Sequence, residues 1–124
     1  MKKVRVAILG IGTVGGGTYQ ILTENHDWIA AARGLDIEVA KVLDKSVDRI
    51  TAKGVPANKA TADLNDILSD PSISIVVETM GGVEPAGTFI MKALSAGKSV
   101  VTANKELISK RWSELEATAK KNGA

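Results

Sequence analysis

Cysteine is absent from the 124 residues. That excludes disulfides and thiolate metal sites, and it allows a reducing compartment without demanding one. Aromatic residues are few: Tyr19, Trp28, Phe89 and Trp112 stand far apart, too thinly spread for base-stacking platforms and better suited to packing. An excess of one charge is lacking too. Sixteen basic residues against fourteen acidic ones leave a formal net charge of +2 with the signs interspersed, which is no nucleic-acid footprint. No apolar run approaches the length of a membrane span. The basic start Met1-Lys2-Lys3 and the apolar residues after it mimic a secretion signal only until Gly10, Gly12 and Gly15 interrupt them. These absences predict a soluble, cytoplasmic protein with neither a membrane nor a nucleic-acid partner. The single histidine, His26, falls in or just after the first helix and reads as a solvated or packing residue.

What is present begins with residues 4–17, Val-Arg-Val-Ala-Ile-Leu-Gly-Ile-Gly-Thr-Val-Gly-Gly-Gly. A short apolar strand breaks into glycines, and residues 18–32 follow with helical spacing. Gly10, Gly12 and Gly15 form a GxGxxG pattern between a predicted strand and a predicted helix, the context in which it signals dinucleotide binding. Gly10 permits the sharp turn, Gly12 leaves room for a pyrophosphate at the backbone, and Gly15 lets the helix pack closely. Amides at the helix start would face the phosphates, with the helix dipole adding about 0.3–2 kcal/mol. Gly16 and Gly17 each cost about 0.5–1 kcal/mol inside a helix and suggest close packing or ligand approach.

The rest of the chain alternates. Val14, Ile21, Leu22 and Ile29 recur at helical spacing up to Arg33-Gly34, and residues 37–43 read as a second strand ending on Asp44. An acidic residue there either bonds the adenosine ribose hydroxyls or caps a helix over residues 46–52. Lys45 and Arg49 beside it are able to pair with a 2′-phosphate, which leaves NAD and NADP both open. Residues 53–72 are the least regular, with a short helix capped near residues 61–63. Residues 73–78 form a nearly continuous apolar strand of the kind buried on both faces of a parallel sheet. A helix over residues 85–96, a strand over 99–102 and a helix over 106–121 complete the pattern, the last with Ile108, Trp112, Leu115 and Ala119 on one face. The expectation is an α/β fold, a Rossmann-like doubly wound parallel sheet with helices on both faces, forming one domain over residues 1–124. The closing strand of such a sheet has no counterpart in the sequence, and the length is short for a complete dinucleotide-dependent enzyme with its substrate domain.

Three loops at strand carboxyl ends would line the crevice: residues 10–15, 79–82 and 102–105. Thr79 and Gly81 are placed to offer backbone groups toward the nicotinamide end, and Lys105 to offer a cation to a substrate. The alternative for Lys105 is a surface lysine at a helix start, where a cation opposes the dipole. Glu78 alone makes a poor metal site.

The segments Gly10-Ile11-Gly12-Thr13-Val14-Gly15, Glu78-Thr79-Met80-Gly81-Gly82-Val83-Glu84-Pro85-Ala86 and Val100-Val101-Thr102-Ala103-Asn104-Lys105 together resemble the GxGTVG, GGxEPA and VTANK motifs of homoserine dehydrogenase, in the same order. The resemblance runs from about Val4 to residue 124. It implies NAD(P)(H)-dependent interconversion of L-homoserine and L-aspartate 4-semialdehyde on the way to threonine, methionine and isoleucine. It further implies that Lys105 sits at the active site and that Gly10, Gly12, Thr13, Val14, Gly15, Thr79, Met80, Gly81 and Asn104 contact the cofactor, with Asp44 and Lys45 at its adenosine end. Many members carry a basic residue just before the acidic one, whereas here Leu43 precedes Asp44 and Lys45 follows. The family's catalytic domain has no counterpart in these residues, so the expectation is an amino-terminal cofactor portion inactive by itself, whose small-molecule substrate needs the missing domain and whose full-length form is a homo-oligomer. The competing readings are an NAD(H)-sensing module and a dehydrogenase of a related semialdehyde or oxo acid.

Overall fold

Strands apolar on both faces need cover on both sides, and the computed structural model, which describes residues 1–124, supplies it with helices. The order is β1 (Lys2–Leu9), α1 (Thr13–Glu24), α2 (His26–Arg33), β2 (Leu35–Leu43), α3 (Val47–Ala52), a 3-10 turn (Ala57–Lys59), β3 (Ala60–Thr61), α4 (Asn65–Leu68), β4 (Ile73–Glu78), α5 (Ala86–Ser95), β5 (Ser99–Thr102) and α6 (Lys105–Lys121). All strand pairs are parallel, in the order β3-β2-β1-β4-β5. The chain winds outward from β1 to β3, then crosses back to lay β4 on the other side of β1. Loops leaving adjacent strands diverge at that switch point, and a crevice opens at their carboxyl ends.

Alternation along the strands splits the core in two. Val6, Ile8, Val39 and Val42 face Tyr19 and Leu22 of α1 and Ile50 of α3. Ala7, Leu9, Ala40 and Val76 face the other way, toward Leu64, Ile67 and Ala93 around α4 and α5. α6 extends that second layer by setting Leu107 and Leu115 against Ile90 and Leu94. On β5, Val100 packs into this layer while Val101 points the opposite way and is exposed. No helix is long and apolar enough to cross a membrane.

The doubly wound parallel sheet is as expected, with strands β4 and β5 at their predicted bounds. Several local expectations are corrected. The first helix starts at Thr13 rather than near residue 18, so three poor helix formers, Gly15 to Gly17, lie inside it. It stops at Asn25, whose backbone and side-chain amides both donate to the Ile21 carbonyl, and α2 resumes at His26. Val14 and Ile21, expected on the buried stripe, are exposed; Leu22 packs as expected and Tyr19 joins it. Trp28 and Trp112, expected as packing residues, are each more than half exposed. In α6 the backbone leaves helical angles at Arg111; Leu107 is buried in place of the predicted Ile108 and Trp112 is exposed, while Leu115 and Ala119 pack as expected. The strand β3 falls within the stretch that looked least regular, because two residues are too few to show alternation.

Candidate functional site

The crevice is built outward from the glycine turn. Gly10 has φ +95°, a left-handed conformation that a side chain rarely adopts, and its amide donates to the Leu43 carbonyl at 2.8 Å. α1 then starts hard against the strand it has just left. A β-carbon on Gly15 would fall 1.8 Å from the Gly10 carbonyl oxygen and 2.7 Å from Thr79 Oγ1. A β-carbon on Gly12 would meet nothing within 4 Å. Gly12 is therefore spare as far as internal packing goes, and its missing side chain leaves space on the crevice side. Nor does α1 have a side-chain cap or an acidic residue in its first turn, so its first amides have no side-chain acceptor from the chain. Close packing does not demand Gly16 or Gly17: a β-carbon would lie 3.8 Å from its nearest neighbour on Gly16 and meet nothing within 4 Å on Gly17.

Asp44 closes one end. Its carboxylate, 8% exposed, accepts from the Ile11 amide at 3.1 Å through Oδ2, and from the Ser46 amide at 3.4 Å and Arg49 Nη1 at 3.3 Å through Oδ1. The helix-cap alternative falls to Ser46, whose hydroxyl accepts from the Arg49 amide. A hollow of about 320 Å³ runs from Gly10 and Gly12 past Thr79 and Met80 to Asp44, Lys45 and Arg49.

Thr79 forms the ridge of the crevice. Its amide donates to the Leu9 carbonyl, and its hydroxyl proton is shared between the Leu9 and Gly10 carbonyls at 2.9 and 2.8 Å. Beyond it lies a second hollow of about 370 Å³, lined by Val14, Thr18, Gly81, Val101, Ala103 and Asn104 among others. Glu78, 3% exposed, organises this side: Oε2 accepts from the Met80 and Gly81 amides at 2.8 and 2.9 Å, and Oε1 accepts from the Thr102 hydroxyl. Asn104 joins the two loops. Its Oδ1 caps α6 by accepting from the Leu107 amide at 3.1 Å, and its Nδ2 donates to the Gly82 carbonyl at 2.6 Å. Lys105, the first residue of α6, is exposed and forms no ion pair in the chain. No cluster of three or more His, Asp or Glu side chains is placed to hold a metal ion.

Residues 10–124 match the family model described as homoserine dehydrogenase, NAD binding domain. The chain belongs to that family. The homoserine dehydrogenase of Bacillus subtilis strain 168 is 38% identical over 123 residues, covering 99% of this chain and 28% of the relative. A crystal structure of a homoserine dehydrogenase from Thiobacillus denitrificans superposes with a TM-score of 0.88 at 42% identity, covering 99% of this chain and 28% of that one. A hyperthermophilic archaeal homoserine dehydrogenase in complex with NADPH gives a TM-score of 0.74 at 27% identity, covering 98% of this chain and 42% of that one. The chain thus spans between a quarter and a half of the length of these homoserine dehydrogenases.

In this domain of homoserine dehydrogenase, Gly10 and Gly12 line the first hollow with Met80, Asp44 and Lys45, Val14 and Gly81 line the second, and Thr79 borders both; Thr13 and Gly15 line neither, Thr13 facing a separate surface hollow and Gly15 lying against the Gly10 carbonyl. Asn104 lines the second hollow, and Lys105 follows it as the exposed first residue of α6, outside the lining of both hollows. Sequence reasoning missed Glu78 and Thr102 as the pair that holds the ridge. The signal was present, since a carboxylate closing a strand buried on both faces must find donors, and the glycine-rich turn just after it supplies them.

Proposed function

We propose that the crevice binds a nicotinamide dinucleotide, with the pyrophosphate against the α1 amides, the adenosine in the hollow beside Asp44, and the nicotinamide in the hollow beside Val14 and Gly81. The observation that carries this reading is the start of α1: uncapped, free of acidic residues, and fronted by a Gly12 whose empty β-position packs against nothing. A fixed set of N–H donors with a positive dipole end fits an anion of this kind. Two such hollows on either side of Thr79 give the two halves of a dinucleotide separate seats.

The domain would serve the NAD(P)(H)-dependent interconversion of L-homoserine and L-aspartate 4-semialdehyde, in cytoplasmic synthesis of threonine, methionine and isoleucine. When bound, the nicotinamide supplies or accepts the hydride. The chain's own part is positional. Glu78 fixes the Met80 and Gly81 amides, Thr79 holds the ridge at its distance from the glycine turn, and Val14, Val101 and Ala103 present apolar surface to the second hollow. Lys105, next in the chain to Asn104, would offer a cation to the substrate. Substrate-binding residues and homo-oligomer contacts are assigned to the remainder of the enzyme, which relatives carry outside the matched region.

Calorimetric titration of the 124-residue chain with NADH and NADPH tests the cofactor reading. Saturable binding that Gly12→Val abolishes, with the variant's circular dichroism unchanged, is the expected result. Binding that survives Gly12→Val would sink the assignment of the pyrophosphate to this turn.

A further inference from the structure

We infer that His26 is a proton-controlled clasp: its charged imidazole fastens α2 to β2, and deprotonation loosens α2 into local opening at the amino ends of the strands, away from the crevice. The geometry itself calls for the charge. Nε2 lies 2.6 Å from Asp36 Oδ1, and Nδ1 lies 2.9 Å from Asp27 Oδ1. An ionised carboxylate only accepts, and a neutral imidazole has a single N–H. Both contacts are hydrogen bonds only when both ring nitrogens carry protons. With one proton gone, a lone pair faces a carboxylate oxygen, and the ring keeps one bond without charge assistance. His26 is also the first residue of α2, where a cation opposes the helix dipole, so the two carboxylates have to outweigh that field.

The groups around the imidazole leave it to these two partners. Its groove is lined by Lys3 of β1, Glu24 of α1, Asp36 and Glu38 of β2 and Lys59 of the 3-10 turn, besides Asp27. Glu38 engages the cations, with Lys3 at 3.2 Å, Arg5 at 3.5 Å and Lys59 at 3.9 Å. Glu24 accepts from the Gln20 amide at 3.1 Å within α1. Asp36 forms its ion pair with His26. The Asp36 hydrogen bond, then that of Asp27, raises the imidazole pKa, and the bond to His26 lowers that of Asp36.

Little else holds α2. None of its residues is buried, it is cut from α1 at Asn25, and it ends on Gly34 at φ +67°. The His26–Asp36 contact is the side-chain hydrogen bond that ties it to the sheet. An element so lightly packed opens at a lower free energy than the core. A group whose pKa is raised by docking contributes hold that is full below its undocked value of about 6.5 and is lost as pH rises through the raised value. α2 is therefore fastened in mild acid and slack in mild alkali.

The test is amide hydrogen exchange of the 124-residue chain, read by mass spectrometry at about pH 6 and about pH 9 and corrected for intrinsic rates. Protection of residues 29–33, relative to that of α5, is expected to fall about threefold to tenfold between the two. His26→Gln should show the low value at both pH values. Asp36→Asn should do the same, and it should bring the His26 titration midpoint, followed by NMR of the ring protons, down toward about 6.5. Protection of α2 that does not change with pH, or a loss that persists in His26→Gln, overturns the inference. A loss shared equally by α5 also overturns it, since the whole domain and not α2 alone would then be opening.

Discussion

Two helices start at the same crevice and start differently. α6 opens on Asn104, whose side chain caps the Leu107 amide and ties down Gly82, and it has Glu106 in its first turn. α1 opens on Gly12 with no capping side chain and no acidic residue nearby. Glycine at an N-cap costs only a few tenths of a kcal/mol against a capping side chain, so α1 forgoes little stability by leaving its donors open. The difference separates a helix start that completes the fold from one whose donors are left for a guest.

The comparison breaks most sharply at Gly15 and Gly12. Gly15→Ala drives a β-carbon into the Gly10 carbonyl and should cost about 3 kcal/mol in a urea titration, because α1 has to move off β1. Gly12→Ala should change stability by less than about 1 kcal/mol while weakening dinucleotide binding. A large stability loss at Gly12 would show that the open start serves packing after all.

Glu78→Ala comes next. It strips an acceptor from the Met80 and Gly81 amides and the Thr102 hydroxyl, and a loss of about 2–4 kcal/mol is expected in the same assay. Glu78→Gln keeps an acceptor oxygen and should lose less. If the two variants melt alike, the carboxylate is not what holds the ridge.

Lys105→Ala sharpens the contrast at α6. The lysine opposes the helix dipole and pairs with nothing in the chain, so its removal should raise stability by about 0.3–1 kcal/mol at low salt. A melting temperature that falls instead would make Lys105 a structural residue and remove the reason to assign it to substrate.

The smallest effect is expected at the opposite end of the sheet. His26 lies between Asp36, 2.6 Å from Nε2, and Asp27, 2.9 Å from Nδ1, with Lys3, Glu24, Glu38 and Lys59 lining the same groove. The Asp36 hydrogen bond, then that of Asp27, raises the imidazole pKa above its ordinary value. A group raised in the folded state adds stability that is full below its unfolded pKa of about 6.5 and is lost as pH rises through the raised value. Melting curves of the chain and of His26→Gln should therefore differ at pH 6 and converge in mild alkali. A gap that stays constant with pH would assign the effect to packing.

How much of this was legible in the sequence follows from how local each signal is. β4 and β5 were readable because unbroken apolar runs between glycines and prolines admit few other meanings, and the three motif loops do meet at one crevice. The start of α1 was not readable, because Gly15 to Gly17 weaken the helix signal, although close approach to β1 requires only Gly15. The Arg111 irregularity in α6 was hidden for a different reason. Arg111 Nη1 pairs with Glu84 Oε1 at 2.7 Å, beyond the α5 start, and a partner that distant leaves no periodic trace. Asp44 was placed correctly at its strand end, but of its three donors only Ser46 and Arg49 at the start of α3 are local, and no spacing rule announces the Ile11 amide 33 residues away.

β5 is an outermost strand of the sheet, four residues long, and its flank away from β4 offers unpaired backbone groups beside the exposed Val101. Such a flank is a template for another strand, and here the template is short. Any ladder laid against it has four residues in which to find its register, so growth of the sheet on that side is open chemically yet narrowly dimensioned, whereas β3 on the far edge offers two residues.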